Sequence, residues 1–123
     1  MNTSFRYLYR DGANYKQWGC VVFEGAPEDD HADRIRDACE SDKLFIPWQV
    51  RVPHCYLFLG DDSWELDPEI DHCWHEFYAL EESDDSPEDP HEREIGQLVN
   101  EFQRASSASW RVVETREIAE YVG

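Results

Sequence analysis

The run Asp71-His72-Cys73-Trp74-His75-Glu76, with His54-Cys55 upstream, gathers the side chains of this chain best suited to chemistry. Imidazole and thiolate are good zinc ligands, and Cys55, His72, Cys73 and His75 are four whose convergence would complete a tetrahedral site. The spacing argues against that convergence. On a strand, residues three apart point to opposite faces, so His72 and His75 reach one metal only if the chain turns between them. The paired, repeated ligand spacing of structural zinc modules is missing, and this segment lacks the helical HExxH pattern of a metalloprotease. Partly buried strand residues are the expected role. A metal-dependent enzyme or zinc-binding domain centred on His72, Cys73 and His75 is the alternative.

Asp61, Asp62, Glu65, Asp67, Glu69 and Asp71 carry oxygen ligands suited to calcium or magnesium. Hard cations need those oxygens to converge from a folded loop, and the EF-hand pattern of a central glycine and a terminal glutamate is absent. A solvated acidic loop is the commoner origin of such a run. Asp67 and Asp71 form a pair of the kind used in general acid and base catalysis, but a chain this acidic yields many such pairs by chance. There is no GxSxG elbow, no cysteine-protease signature and no glycine-rich phosphate loop. Enzyme is the minority reading, and no cofactor is implied.

Charge says more about partners. Residues 60–94 hold fifteen of the twenty-eight acidic side chains and one basic one, Arg93, a local charge of −14 in a chain of −17. Trp64, Trp74, Phe77 and Tyr78 run through the same stretch, so it is not a plain acidic tail. Such a surface repels phosphate backbones and favours a basic protein, metal cations or concentrated salt. The expectation is a non-enzymatic acidic module that binds, and inhibits or neutralises, a protein with a basic surface. Asp61, Asp62, Glu65, Asp67 and Glu69 would supply charge and Trp64 a packed anchor. Spaced carboxylates on a rigid fold are also what a nucleic-acid mimic presents to a basic cleft. A structural accessory subunit is a third reading. Halophilic adaptation fits two lysines against nine arginines, but not the concentration of acids in one segment. Arg6, Arg10 and Lys16, interleaved with Tyr7, Tyr9 and Tyr15, are the one basic-aromatic patch. In this field they are expected to pair with internal carboxylates rather than with nucleic acid.

The elements that must position these groups fit one domain of 123 residues with 41% apolar side chains. Phe5–Tyr9 and Trp18–Phe23 read as strands of a hairpin around Asp11-Gly12-Ala13-Asn14. Pro27 followed by acids predicts a helix running to Asp42, with Ile35 on its apolar stripe. Phe45–Val52 and His54–Leu59 read as short strands or extended segments. Cys73–Leu80 reads as a strand with Cys73, His75, Phe77 and Ala79 on one face. A charged loop spans 81–89. Asp89, Pro90 and Glu92 then predict a helix start ahead of the stripe Ile95, Leu98, Val99, Phe102 and Ala105. Trp110–Glu114 reads as a last strand, and Thr115 as the cap of a short terminal helix. The sum is an α+β domain: an antiparallel sheet of about five strands packed on one face by two main helices. Cys20, Cys39, Cys55 and Cys73 are scattered without CxxC spacing, so reduced and mostly buried thiols are expected. With no signal peptide and no apolar run of membrane-spanning length, the expected location is cytoplasmic, without membrane partners.

The blocks Phe5-Arg6-Tyr7-Leu8-Tyr9-Arg10-Asp11, Asn14-Tyr15-Lys16-Gln17-Trp18-Gly19, Phe45-Ile46-Pro47-Trp48-Gln49-Val50 and His72-Cys73-Trp74-His75-Glu76-Phe77 together resemble those of a group of small uncharacterised bacterial proteins. The resemblance spans about the first two thirds of the chain. It implies that Trp74, His75, Glu76 and Phe77 form a shared surface or structural corner, and brings no activity or binding residue with it.

Overall fold

Alternation in the first strand, broken only at Leu8, which is also buried, organises the molecule. In β1 (Asn2–Arg10), Thr3, Phe5, Tyr7 and Tyr9 turn inward and are buried, while Ser4, Arg6 and Arg10 stay partly exposed on the outer face. The computed structural model describes residues 1–60 and 62–122. β1 forms the expected antiparallel hairpin with β2 (Lys16–Phe23), with Phe5 opposite Val21 and Tyr7 opposite Gly19. The turn is built as its residue types demand: the buried Asp11 carboxylate accepts hydrogen bonds from the backbone N–H groups of Ala13 and Tyr15 at 2.9 and 3.0 Å, and Asn14 takes a φ of 70°. Gly19 is required by space. A Cβ there would lie 2.7 Å from both Tyr7 Cζ and Cys55 Sγ.

β3 (Leu44–Phe45) and β4 (His75–Ser83) complete one antiparallel sheet in the order β2-β1-β4-β3. It has four strands rather than about five, because two predicted strands find no ladder. After Phe45 the chain turns into a 3-10 helix at Pro47–Gln49, where proline has no N–H to donate to a strand neighbour. Residues 110–114 run without a strand partner: the Trp110 indole N–H donates to the Ala38 carbonyl at 2.9 Å and the Arg111 N–H to Gln49 Oε1 at 2.7 Å. The segment from His54 likewise ends in a 3-10 turn, Leu57–Leu59.

The predicted alternation of β4 holds only over its first half. His75 and Phe77 are buried, but the register with β1 shifts at Arg6/Tyr7, pairing Tyr7 with Phe77 and Arg6 with Ala79. Tyr78 is the extra residue of the bulge, so Leu80 rather than Ala79 packs toward the core.

α1 (His31–Ala38) is shorter than its acidic flanks suggested, because the backbone turns extended at Cys39, with ψ at 153°, and Ser41 and Asp42 then take φ values of 51° and 64° that do not resume a helix. α2 (Ile95–Ala108) starts later than Asp89-Pro90 indicated. Glu92 sits at a φ of 53°, and the capping box is Glu94 with Gln97. Its stripe is as predicted: Leu98, Val99 and Phe102, with Ile35 of α1, are 0% exposed. Phe102 places its ring 5.7 Å from Phe5 and 5.1 Å from Phe45, which fixes both helices to the inner face of the sheet through one core. α3 (Ile118–Val122) follows a 3-10 turn at Thr115–Glu117 and buries Ile118. Thr115 does not cap it; its hydroxyl donates to the Asp71 carbonyl at 3.0 Å.

Candidate functional site

The histidine and cysteine residues sit at the start of β4 and in the segment packed against it. His75 is 0% exposed, among the rings of Tyr7, Tyr9, Phe45 and Tyr56. Its Nε2 accepts the Cys55 N–H at 2.8 Å, which assigns the ring proton to Nδ1, and Nδ1 has no hydrogen-bond partner among the described residues. Burial, reinforced by His54 nearby, drives its pKa down to about 3. His72 has both ring nitrogens engaged: Nδ1 accepts the Trp74 N–H at 3.0 Å, so Nε2 donates to the Arg10 carbonyl at 2.8 Å. Cys55 and Cys73 are buried, and burial pushes the Cys55 thiol up to about 11 and raises that of Cys73. In this fold both are therefore protonated thiols at neutral pH, unlike the low-pKa thiolate of a reactive cysteine. No three ligand atoms of Cys55, His72, Cys73 and His75 come within 4.8 Å of one another. Among the described residues the one such group is Glu28, Asp30 and His31, where the His31 Nδ1 already accepts the Glu28 N–H. All four cysteines are free, with Cys20 exposed.

Asp67 and Asp71 do meet, in a structural bond. Asp71 is buried and accepts the Tyr9 hydroxyl on Oδ1 at 2.6 Å and the Asp67 N–H on Oδ2 at 2.9 Å. The Asp67 carboxylate accepts the Glu69 N–H at 3.0 Å, and the Gly12 N–H closes onto the Ile70 carbonyl at 2.7 Å. Residues 67–71 are thereby tied to the hairpin turn by their backbone. The side chains of Asp62, Trp64, Glu65, Asp67 and Glu69 are all exposed; Asp61 lies outside the described residues. Trp64 is not part of the core. It is 36% exposed and meets Tyr15 edge to face with ring centroids 5.1 Å apart, and Tyr15 is itself 57% exposed.

Of the patch Arg6, Arg10 and Lys16, the two arginines pair with internal carboxylates as the charge suggested, while Lys16 has none within 4.0 Å among the described residues. Arg6 pairs with Glu81 at 3.1 Å and Arg10 with Glu76 at 2.8 Å, while Tyr7 and Tyr9 fill the core.

Sequence reasoning registered Arg93 only as the single base of the acidic segment. It is 4% exposed and forms the most connected polar group of the fold. Its guanidinium donates to both Asp89 carboxylate oxygens, to Glu101, and to the carbonyls of Val50 and Arg51 at 2.7 and 2.8 Å, with its face on Phe23. Burial opposes ionisation of Asp89, but the hydrogen bonds and charge of Arg93 outweigh it and hold that carboxyl below its usual range. The only local signal was the four-residue spacing of Asp89 and Arg93.

No protein-family model matches the chain, and no curated protein or solved structure shows significant similarity to it. No helix among the described residues is long and apolar enough to cross a membrane.

Proposed function

We propose that this chain is a non-enzymatic acidic binding module whose partner is a protein with a basic surface, which it inhibits or neutralises by occupying that surface. The observation carrying this reading is Trp64: a large aromatic side chain outside the core, braced by Tyr15, in a segment whose carboxylates Asp62, Glu65, Asp67 and Glu69 are exposed. An aromatic anchor rimmed by like charges is the pattern of an interface in which the ring supplies residence time and the charges supply encounter rate. The backbone bonds of residues 67–71 make part of the acidic display rigid, which lowers the ordering cost of binding. A basic cleft that ordinarily holds phosphates is the kind of surface such a display fits.

The occupied lone pairs of His72 and His75 favour a structural role for that cluster over the zinc reading, which would require the Cys55 and Trp74 backbone N–H groups to be left unpaired. The test is capture from native lysate at low and high salt, followed by surface-plasmon kinetics with the captured protein. Asp62→Asn with Glu65→Gln should slow association and flatten its salt dependence. Trp64→Ala should speed dissociation. Binding indifferent to all three changes would place the interface elsewhere and remove the proposal.

A further inference from the structure

A chain with twenty-eight acidic side chains would be expected to neutralise every arginine it has, yet among the described residues two arginines have no carboxylate partner. Arg6, Arg10, Arg34, Arg36, Arg51, Arg93 and Arg116 each lie within 4.0 Å of a carboxylate among the described residues; Arg104 and Arg111 do not. Both of these line the same groove, of about 520 Å³.

The groove follows from local sequence. Glu101, Arg104, Ala105 and Ala108 recur at helical spacing on one side of α2, and the two alanines leave its floor low. Arg111 is brought to the rim because its backbone N–H is held by Gln49. The opposite wall is an aromatic pair, Trp48 from the 3-10 turn and Tyr121 from α3, stacked at 5.1 Å with 24° between their planes. Arg51 adds a third guanidinium. Its partner Glu101 also accepts from Arg93, which Asp89 neutralises in turn, so the six groups Arg51, Arg93, Arg104, Arg111, Glu101 and Asp89 carry two positive charges in excess.

We infer that this groove is a binding site for a small organic oxyanion, a phosphate- or carboxylate-bearing molecule with a planar ring. Guanidinium pairs recognise the planar or tetrahedral oxygens of such groups in bidentate fashion, and the Trp48–Tyr121 wall supplies a face for the ring. The volume is that of a small-molecule site rather than of a protein interface. Long-range repulsion by the net charge of −17 works against any anion, so affinity must come from contact with these particular arginines. No residue of this groove belongs to the acidic segment carrying Trp64, so the inference stands independently of the proposed partner.

The full chain would be titrated to millimolar concentration with adenosine monophosphate, inorganic phosphate and citrate, with the Trp48 indole N–H and the arginine Nε–H signals followed by two-dimensional NMR. Saturable shifts at Trp48, Arg104 and Arg111 are expected with at least one anion. A response to adenosine monophosphate or phosphate identifies a phosphate ligand, and a response to citrate alone a carboxylate. The double variant Arg104→Gln, Arg111→Gln changes exposed side chains only and should keep the wild-type melting temperature while weakening binding about tenfold or more. Uncharged adenosine should not compete. No saturable shift with any of the three anions, binding unchanged in the double variant, or adenosine binding as well as its monophosphate would overturn the inference. So would groove shifts that appear on raising protein concentration alone, because they would assign the groove to the acidic segment of a second copy.

Discussion

At neutral pH His75 is uncharged, because its full burial penalises the imidazolium. The unfolded chain takes up a proton on this imidazole near pH 6.5 and the folded protein only near pH 3, so across that window unfolding binds a proton. Stability from this residue is present above pH 6.5 and is lost as pH falls toward 3, with a slope of at most about 1.4 kcal/mol per pH unit for one proton. His75→Gln keeps an acceptor for the Cys55 N–H and removes the titration. Urea midpoints measured at pH 7 and pH 5 should therefore fall further apart in wild type than in the variant. Arg93 makes a second prediction at this scale. Arg93→Met leaves the buried Asp89 carboxylate without its counter-charge and the buried Val50 carbonyl without its donor, and should cost about 3–5 kcal/mol in denaturant unfolding. Neither role was legible in the sequence beforehand. A partly buried place on a strand is the expected role of His75, with a metal site the alternative, but its full burial is set by four rings distant in the chain. Arg93 acquires Glu101, Val50 and Arg51 only once α2 has packed.

The elements divide by how local their causes are. The hairpin of β1 and β2, the apolar stripe of α2 and the core position of Ile35 follow from alternation, turn residues and helical spacing, and each stands where those patterns put it. What failed was non-local. Residues 110–114 have strand-forming side chains but no neighbour to pair with, and the bulge at Tyr78 depends on the shift of register with β1. The helix start at Asp89 failed because its carboxylate binds Arg93 instead of capping a first turn. The candidate site was half legible: the exposure of the acidic stretch follows from its charge, but the bracing of Trp64 by Tyr15 could not be read from residues so far apart in sequence. Gly19 gives the sharpest element-scale prediction. The Tyr7 ring and Cys55 sulfur already occupy the space of its missing side chain, so Gly19→Ala should lower stability by about 1–3 kcal/mol, seen as a lower urea midpoint.

Over the whole molecule, repulsion among carboxylates outweighs the contribution of the ion pairs, most of which have an exposed partner and add little each. Raising salt from low ionic strength to about 0.5 M shortens the range of that repulsion, so the melting temperature should rise rather than fall. Part of the acidic stretch has a different consequence. Glu88 donates its backbone N–H to the Val22 carbonyl at 2.8 Å and accepts the Val22 N–H on its side chain at 3.1 Å, and Ile95 donates to the Glu24 carbonyl at 2.9 Å. The chain that follows β4 thus lies along the outer margin of β2 and uses donors and acceptors that a foreign strand would need. Of that margin Lys16–Cys20 stays open, with a charge at one end and a glycine near the other, while the opposite margin is only the two residues of β3. Neither offers a long unpaired ladder, so the sheet resists growing by addition of another molecule's strand, and a concentrated solution should stay free of fibrils.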